Sequence, residues 1–175
     1  MRIVLFLGFS GSGKTTALTC ISRAIVKGHL GKVGSIKRVH ETNFSIDSKG
    51  KDSWMHATSG SSVVMVFAKK ELDVIKREST RSVSQKEILE VFKRSKVDYL
   101  LVEGLHKKFE HARGIKRVIC ARDRSQAADL IKLHRNKIEF ITGKLGNSSN
   151  LQSFEGIPIL KLPRDVRKAV QLICA

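Results

Sequence analysis

The chain has 175 residues, 41% hydrophobic and 28% charged, and its 33 Lys and Arg against 16 Asp and Glu give a formal net charge of +17. That length supports one domain, residues 1–175, with a real core, and no apolar stretch reaches the about 20 residues a membrane helix needs. Cys20, Cys120 and Cys174 are odd in number, far apart and without C-x-x-C spacing, which argues against a disulfide framework or a zinc site. With no charged leader or small-residue cleavage site, the protein is expected to be cytoplasmic.

In chain order, Arg2 to Leu7 is an apolar run that reads as a buried strand. Gly8-Phe9-Ser10-Gly11-Ser12-Gly13-Lys14-Thr15 follows and completes the phosphate-loop spacing G-x-x-x-x-G-K-[ST]. Its glycines let successive backbone N–H groups point at one phosphate, and the positive end of the next helix adds to that field. Lys14 is placed to reach terminal phosphates and the Thr15 hydroxyl to ligate Mg2+. Lys14 to Lys27 reads as that helix, and Lys32 to Val39 as the second strand.

A polar loop over Glu41 to Lys51 leads to a helix over Asp52 to Ser59. Ser62 to Ala68 and Leu72 to Arg77 are strands joined by a link too short for a parallel crossover, so they are expected to form an antiparallel hairpin. Ser84-Gln85-Lys86-Glu87 is a capping box that opens a helix to Ser95, with Ile88, Leu89, Val91 and Phe92 as its expected buried face. Strands over Asp98 to Val102, Lys116 to Ala121, Ile138 to Thr142 and Ile157 to Lys161 alternate with helices over Ser125 to Lys132 and Arg164 to Ile173. Gly143 to Asn150 reads as a second polar loop. This rhythm predicts an α/β protein, a P-loop NTPase-like three-layer α/β/α sandwich with a mostly parallel sheet and one antiparallel hairpin.

The strand Asp98 to Val102 ends in Glu103-Gly104. Ligands of parallel sheets sit beyond the carboxyl ends of the strands, so Glu103 is expected to face the phosphate loop, as a Mg2+ ligand or a group orienting water. Asp98, at the other end, reads as structural. The segment Ile36 to Ser53 leaves the carboxyl end of the second strand, which makes Lys37 and Asp47 candidates for phosphate and Mg2+. Lys51 and Asp52 open the next helix, with Asp52 either as N-cap or in a functional role. His40 is a general base, a substrate contact or a plain loop histidine. Asn136-Lys137-Ile138-Glu139 imitates a guanine-reading motif but precedes a strand instead of following one, and reads as a chance match. Thr142-Gly143-Lys144 follows a strand, where a base-contacting loop is expected.

Three blocks together resemble the molybdopterin-guanine dinucleotide biosynthesis protein B (MobB) family. They are Gly8 to Thr16, then Ile36-Lys37 through Asp47 to Gly50-Lys51-Asp52-Ser53, then Leu101-Val102-Glu103-Gly104. The resemblance covers about the first 105 residues and is loose beyond Arg122. It implies a GTP-binding P-loop protein with Mg2+, a homodimer and at most a slow GTPase. It also implies a helper of the molybdopterin guanylyltransferase, here a separate protein, in making the dinucleotide form of the molybdenum or tungsten cofactor. Carried onto this chain, the phosphate-binding positions are Ser10, Gly11, Ser12, Gly13, Lys14, Thr15 and Thr16. Asp47 and Glu103 become Mg2+ or phosphate-sensing residues, and Lys37, Lys51 and Asp52 lie near the nucleotide or a pterin ligand. The chain departs from the family in a loop poorer in histidine, where Arg38 takes one such position and His40 remains.

Two other classes stay open from the residues alone. A small-molecule kinase on the same fold would use an arginine-bearing lid such as Arg113 to Arg124. A basic NTP-dependent nucleic-acid factor would explain the clusters at Lys107-Lys108, Arg113 to Arg117 and Arg164 to Lys168. Against it, the eight Phe, one Trp and one Tyr do not interleave with basic residues as a stacking surface requires.

Overall fold

A computed structural model describes residues 1–41, 44–76, 83–109, 114–134 and 137–175. The elements in order are β1 (Arg2–Leu7), α1 (Lys14–Lys27), β2 (Val33–Lys37), α2 (Asp52–Thr58), β3 (Val63–Phe67), β4 (Leu72–Lys76), α3 (Gln85–Arg94), β5 (Tyr99–Glu103), α4 (His106–Phe109), β6 (Lys116–Cys120), α5 (Arg124–Leu133), β7 (Phe140–Thr142), α6 (Lys144–Ser148), β8 (Ser153–Phe154), β9 (Ile157–Pro158) and α7 (Val166–Cys174). They fall into two compact units, Met1–Arg38 with Gln85–Ala175, and Val39–Ser84.

In the first unit the five residues Ile3 to Leu7 are all buried, as a strand covered on both faces requires. β1 accordingly lies at the centre of a five-stranded parallel sheet of order β2-β5-β1-β6-β7. Successive side chains of a strand point to opposite faces, and the two halves of the core follow that alternation. Val4 and Phe6 pack with Leu101 and Val118 against Ile21 and Ile25 of α1 and Ala169 and Ile173 of α7. Leu5 packs with Leu100, Val102 and Ile119 against Phe109 of α4, Ala127 and Leu130 of α5 and Leu145 of α6, with α3 added through Ile88, Leu89 and Phe92. The result is the three-layer α/β/α sandwich. Asp98 is structural, its Oδ2 accepting from the Lys32 N–H at 2.7 Å.

Three local expectations are corrected. Val91 is 62% exposed, because the α3 stripe that meets the sheet runs through Ile88, Leu89 and Phe92. The strand expected over Ile157 to Lys161 is a two-residue β9 paired antiparallel with β8, followed by a single parallel bridge from Ile159 to Ile141. Pro158 has no N–H for a longer ladder, and Glu155-Gly156, both with positive φ, make the tight hairpin turn. The loop expected over Gly143 to Asn150 contains the short helix α6.

In the second unit β3 and β4 form the expected antiparallel hairpin, with Met65 opposite Val74 and Phe67 opposite Leu72. The expected end of that strand, Arg77, lies outside the described residues. Among the described residues no helix is long and apolar enough to cross a membrane.

Candidate functional site

β1 ends at Leu7, and the phosphate-loop spacing fills the turn between it and α1. Gly13 holds the N-cap of α1 in the left-handed region at φ 96°, and no side chain caps the helix, so its first N–H groups open toward the loop. Lys14 Nζ lies across the loop and donates to the Phe9 carbonyl at 2.7 Å. Ser10, Gly11 and Thr16 are exposed, whereas Ser12 is fully buried with its Oγ lacking a hydrogen-bond partner. Cys120, at the end of β6, is fully buried, and that burial pushes its thiol up to about 12. At neutral pH it is an uncharged packing group.

The parallel register sets Lys37 beside Glu103, and Glu103 beside Phe6 next to the loop. That alignment assembles a cluster at the carboxyl edge of the sheet. Thr15 Oγ1 donates to both Glu103 carboxylate oxygens, at 3.2 and 3.0 Å, and Lys37 Nζ pairs with Oε1 at 3.2 Å. The Glu103 side chain is only 12% exposed while that of Lys37 is 60% exposed, so the carboxylate is held in place and the ammonium reaches out. A hydroxyl and a carboxylate are the hard oxygen donors that suit Mg2+, an ion that completes its shell with waters and substrate phosphates instead of a protein cage. The residues present therefore fit the ion.

On the other side of α1 the loop meets the turn after β7. A Cβ on Gly143, which sits at φ 93°, would run into the Ser12 carbonyl and lie 2.9 Å from that of Ala121. A Cβ on Gly13 would lie 3.3 Å from the Gly143 Cα. Two glycines thus let the backbones touch, and the Lys144 N–H donates to the Ser12 carbonyl at 3.4 Å. Beside this contact is a cavity of about 480 Å³, walled by Gly13, Thr16 and Ala17 on one side and by the Thr142–Lys144 turn, Asn147, Ser148 and Leu162 on the other. Thr142, expected to contact nucleotide, is buried and donates its hydroxyl to the Leu160 carbonyl at 2.9 Å. Ser148 donates to the Lys144 carbonyl. Lys144 and Asn147 are exposed. Nothing in the sequence pattern singles out Asn147, which stands in a stretch that reads as loop.

Asp47, Lys51 and Asp52 belong to the second unit. Asp47 Oδ1 accepts from Ser53 Oγ at 2.9 Å, and its Oδ2 is buried without a hydrogen-bond partner. The helix α2 begins at Asp52 with Lys51 in the N-cap position, so Asp52 is the first helical residue and not the cap; its charge there suits the helix dipole. Glu139 of the guanine-motif imitation is a buried structural acid paired with Lys116 at 3.4 Å and Lys137 at 3.7 Å. Asn136 of that motif, Arg113 of the expected lid and basic cluster, and Thr42 and Asn43 of the polar loop lie outside the described residues.

The protein-family model described as Molybdopterin guanine dinucleotide synthesis protein B matches residues 3–142. A molybdopterin-guanine dinucleotide biosynthesis adapter protein from Haemophilus influenzae is 39% identical over 97 residues, which is 55% of this chain and 53% of that protein. The chain thus spans about half the length of this curated relative. Among solved structures, Bacillus subtilis MobB superposes with a TM-score of 0.71 at 21% identity, covering 98% of each chain. A MobB protein homolog from Bacillus stearothermophilus gives 0.69 at 19% identity, covering 99% of each. At those identities the two structures bear on the fold alone.

Proposed function

Because the chain belongs to the molybdopterin guanine dinucleotide synthesis protein B family, we propose that it binds GTP with Mg2+ and assists the formation of molybdopterin-guanine dinucleotide by a separate guanylyltransferase. The observation that carries this reading is the Thr15–Glu103–Lys37 cluster at the mouth of the phosphate loop. The N–H groups from Ser10 to Thr16 cradle the phosphates, and Lys14 leaves the Phe9 carbonyl for the terminal phosphate oxygens. Thr15 and Glu103 would hold Mg2+, which would supply neutralisation of the charge on the phosphate oxygens. Asp47, in the second unit, stays a candidate for phosphate or Mg2+ on the strength of the family resemblance alone. Lys51 and Asp52 serve the nucleotide or pterin side.

Hydrolysis is secondary in this account. Glu103 is already engaged by the Thr15 hydroxyl and the Lys37 ammonium, and we assign it to the ion instead of to activating a water. Binding and presentation of the nucleotide are the task. We further assign a homodimer, supported by one face of the hairpin on which Val63, Met65, Phe67, Leu72 and Val74 are all at least half exposed.

The test is a reconstituted reaction containing molybdopterin, Mg2+-GTP and a guanylyltransferase. Addition of this protein should raise the rate of dinucleotide formation, and the Lys14→Ala variant should not. Equal rates with either protein, or with none added, would overturn the reading.

A further inference from the structure

We propose that Lys37 is a built-in counter-cation that holds the Glu103 carboxylate until a nucleotide arrives, so that Mg2+ binding depends on nucleotide binding. This inference rests on the nucleotide-binding reading above and adds the residue that couples ion to phosphate. Along β5 and β2 the side chains alternate between the two faces of the sheet. Tyr99, Leu101 and Val33 pack on the α1 side, whereas Val102 and Ile36 pack in the opposite layer. Glu103 and Lys37 continue the α1 side, and there Glu103 meets Thr15 at the start of that helix. Its two neighbours in the sheet are the apolar Phe6 on β1 and Lys37 on β2. Lys37 is thus the charge that strand register sets beside the carboxylate. The backbone fixes it there, because the Arg38 N–H donates to the Glu103 carbonyl at 2.9 Å and a Cβ on Gly104 would lie 3.0 Å from that of Arg38.

Competition for one oxygen follows. Lys37 Nζ lies 3.2 Å from Oε1, one of the two oxygens that also accept from Thr15. Glu103 brings one negative charge to the site, and Lys37 cancels it. Mg2+ sheds its waters reluctantly and is held by one or two carboxylates together with substrate phosphates. A single carboxylate that is already neutralised is a poor match for the free ion, since a dication beside an ammonium is a like-charge pair. Phosphates on the loop change that balance. They add negative charge beside the carboxylate and offer the ammonium a second acceptor. The Lys37 side chain is 60% exposed on a flexible four-carbon stem, against 12% for Glu103, so the ammonium can turn away while the carboxylate stays. Lys14 does not duplicate this part, because its Nζ is turned to the Phe9 carbonyl within the phosphate loop. When Lys37 moves from carboxylate to phosphate it opens Oε1. Nucleotide then strengthens binding of the ion, and by linkage the ion strengthens binding of the nucleotide by the same factor.

The experiment is titration of the full chain with Mn2+ in place of Mg2+, without nucleotide and read by electron paramagnetic resonance. It compares wild type, Lys37→Met, Lys37→Arg and Lys37→Met combined with Glu103→Gln, each first checked for an unchanged melting profile, with Lys37→Gln replacing Lys37→Met if that variant unfolds. Lys37→Met should bind free Mn2+ about tenfold more tightly than wild type, the scale of one charged hydrogen bond removed. Lys37→Arg, which keeps the cation, should bind as weakly as wild type, and so should the double variant, which lacks the carboxylate. Calorimetry with GTP, in EDTA and in Mg2+, reads the coupling itself. The factor by which Mg2+ strengthens GTP binding should fall about fivefold in Lys37→Met and hold in Lys37→Arg. Equal free Mn2+ binding by wild type and Lys37→Met, or tight binding that survives Glu103→Gln, would overturn the proposal. GTP binding still abolished by Lys14→Ala would in that case leave the nucleotide site standing. Absence of GTP binding by wild type in either medium would overturn both.

Discussion

Glu103 shows how strand register places one side chain. β1, β5 and β2 run parallel in step, so Lys37 falls level with Glu103 and both lie at the edge where Thr15 begins its helix. Much of this was legible in the residues: a carboxylate closing an apolar strand, a lysine closing another, and a phosphate-loop threonine. The Gly13–Gly143 contact was not, because a close approach between residues 130 positions apart leaves no local pattern in the chain. At the same scale Asp165 makes a pH prediction. The Arg164 guanidinium donates to both carboxylate oxygens, at 2.8 and 3.0 Å, and the Lys161 N–H adds a third bond at 2.8 Å. Together they hold the Asp165 carboxyl down to about 2. A carboxyl lowered by folding contributes stability that is complete above its unfolded value near about 4 and is lost as pH falls through the folded value. Asp165→Asn should lower the thermal midpoint at pH 7 by a small amount, as befits a largely solvated pair. The gap should close steadily between about pH 4 and pH 2. A gap of constant size across that range would contradict the assignment.

At the scale of elements, patterns that repeat along the chain were readable and those set by a partner element were not. The long apolar strands and the helix α1 carry their own periodicity. The hairpin β3–β4 was legible from its short link. α6 is built from Lys144 to Ser148, with a glycine, an asparagine and a serine that read as loop, and it forms because Leu145 is drawn into the core beside Ile141. β9 is short because Pro158 interrupts it. The hairpin makes its own prediction. Met65 and Phe67 are 52% and 77% exposed on one face, across from Val74 and Leu72. If that face joins two copies, Met65→Lys with Phe67→Lys should shift the protein toward monomer in sedimentation velocity. It should do so with only a small change in the midpoint of thermal unfolding, since neither side chain is in the core. An unchanged dimer would remove the hairpin from the interface.

For the whole molecule, residues 3–142 match the family model, and the doubly covered parallel sheet brings Thr15, Glu103 and Lys37 together at its carboxyl edge. The net charge of +17 does not discriminate between a nucleotide and a larger anionic partner, so the account stands on the loop. The most direct measurement is titration of Mg2+-GTP into the wild-type protein and into Lys14→Ala. Wild type should bind one nucleotide per chain, and the variant should be weakened about 100-fold or more with its fold intact, in keeping with the loss of a charged phosphate contact. Equal affinities in the two proteins would contradict the central claim.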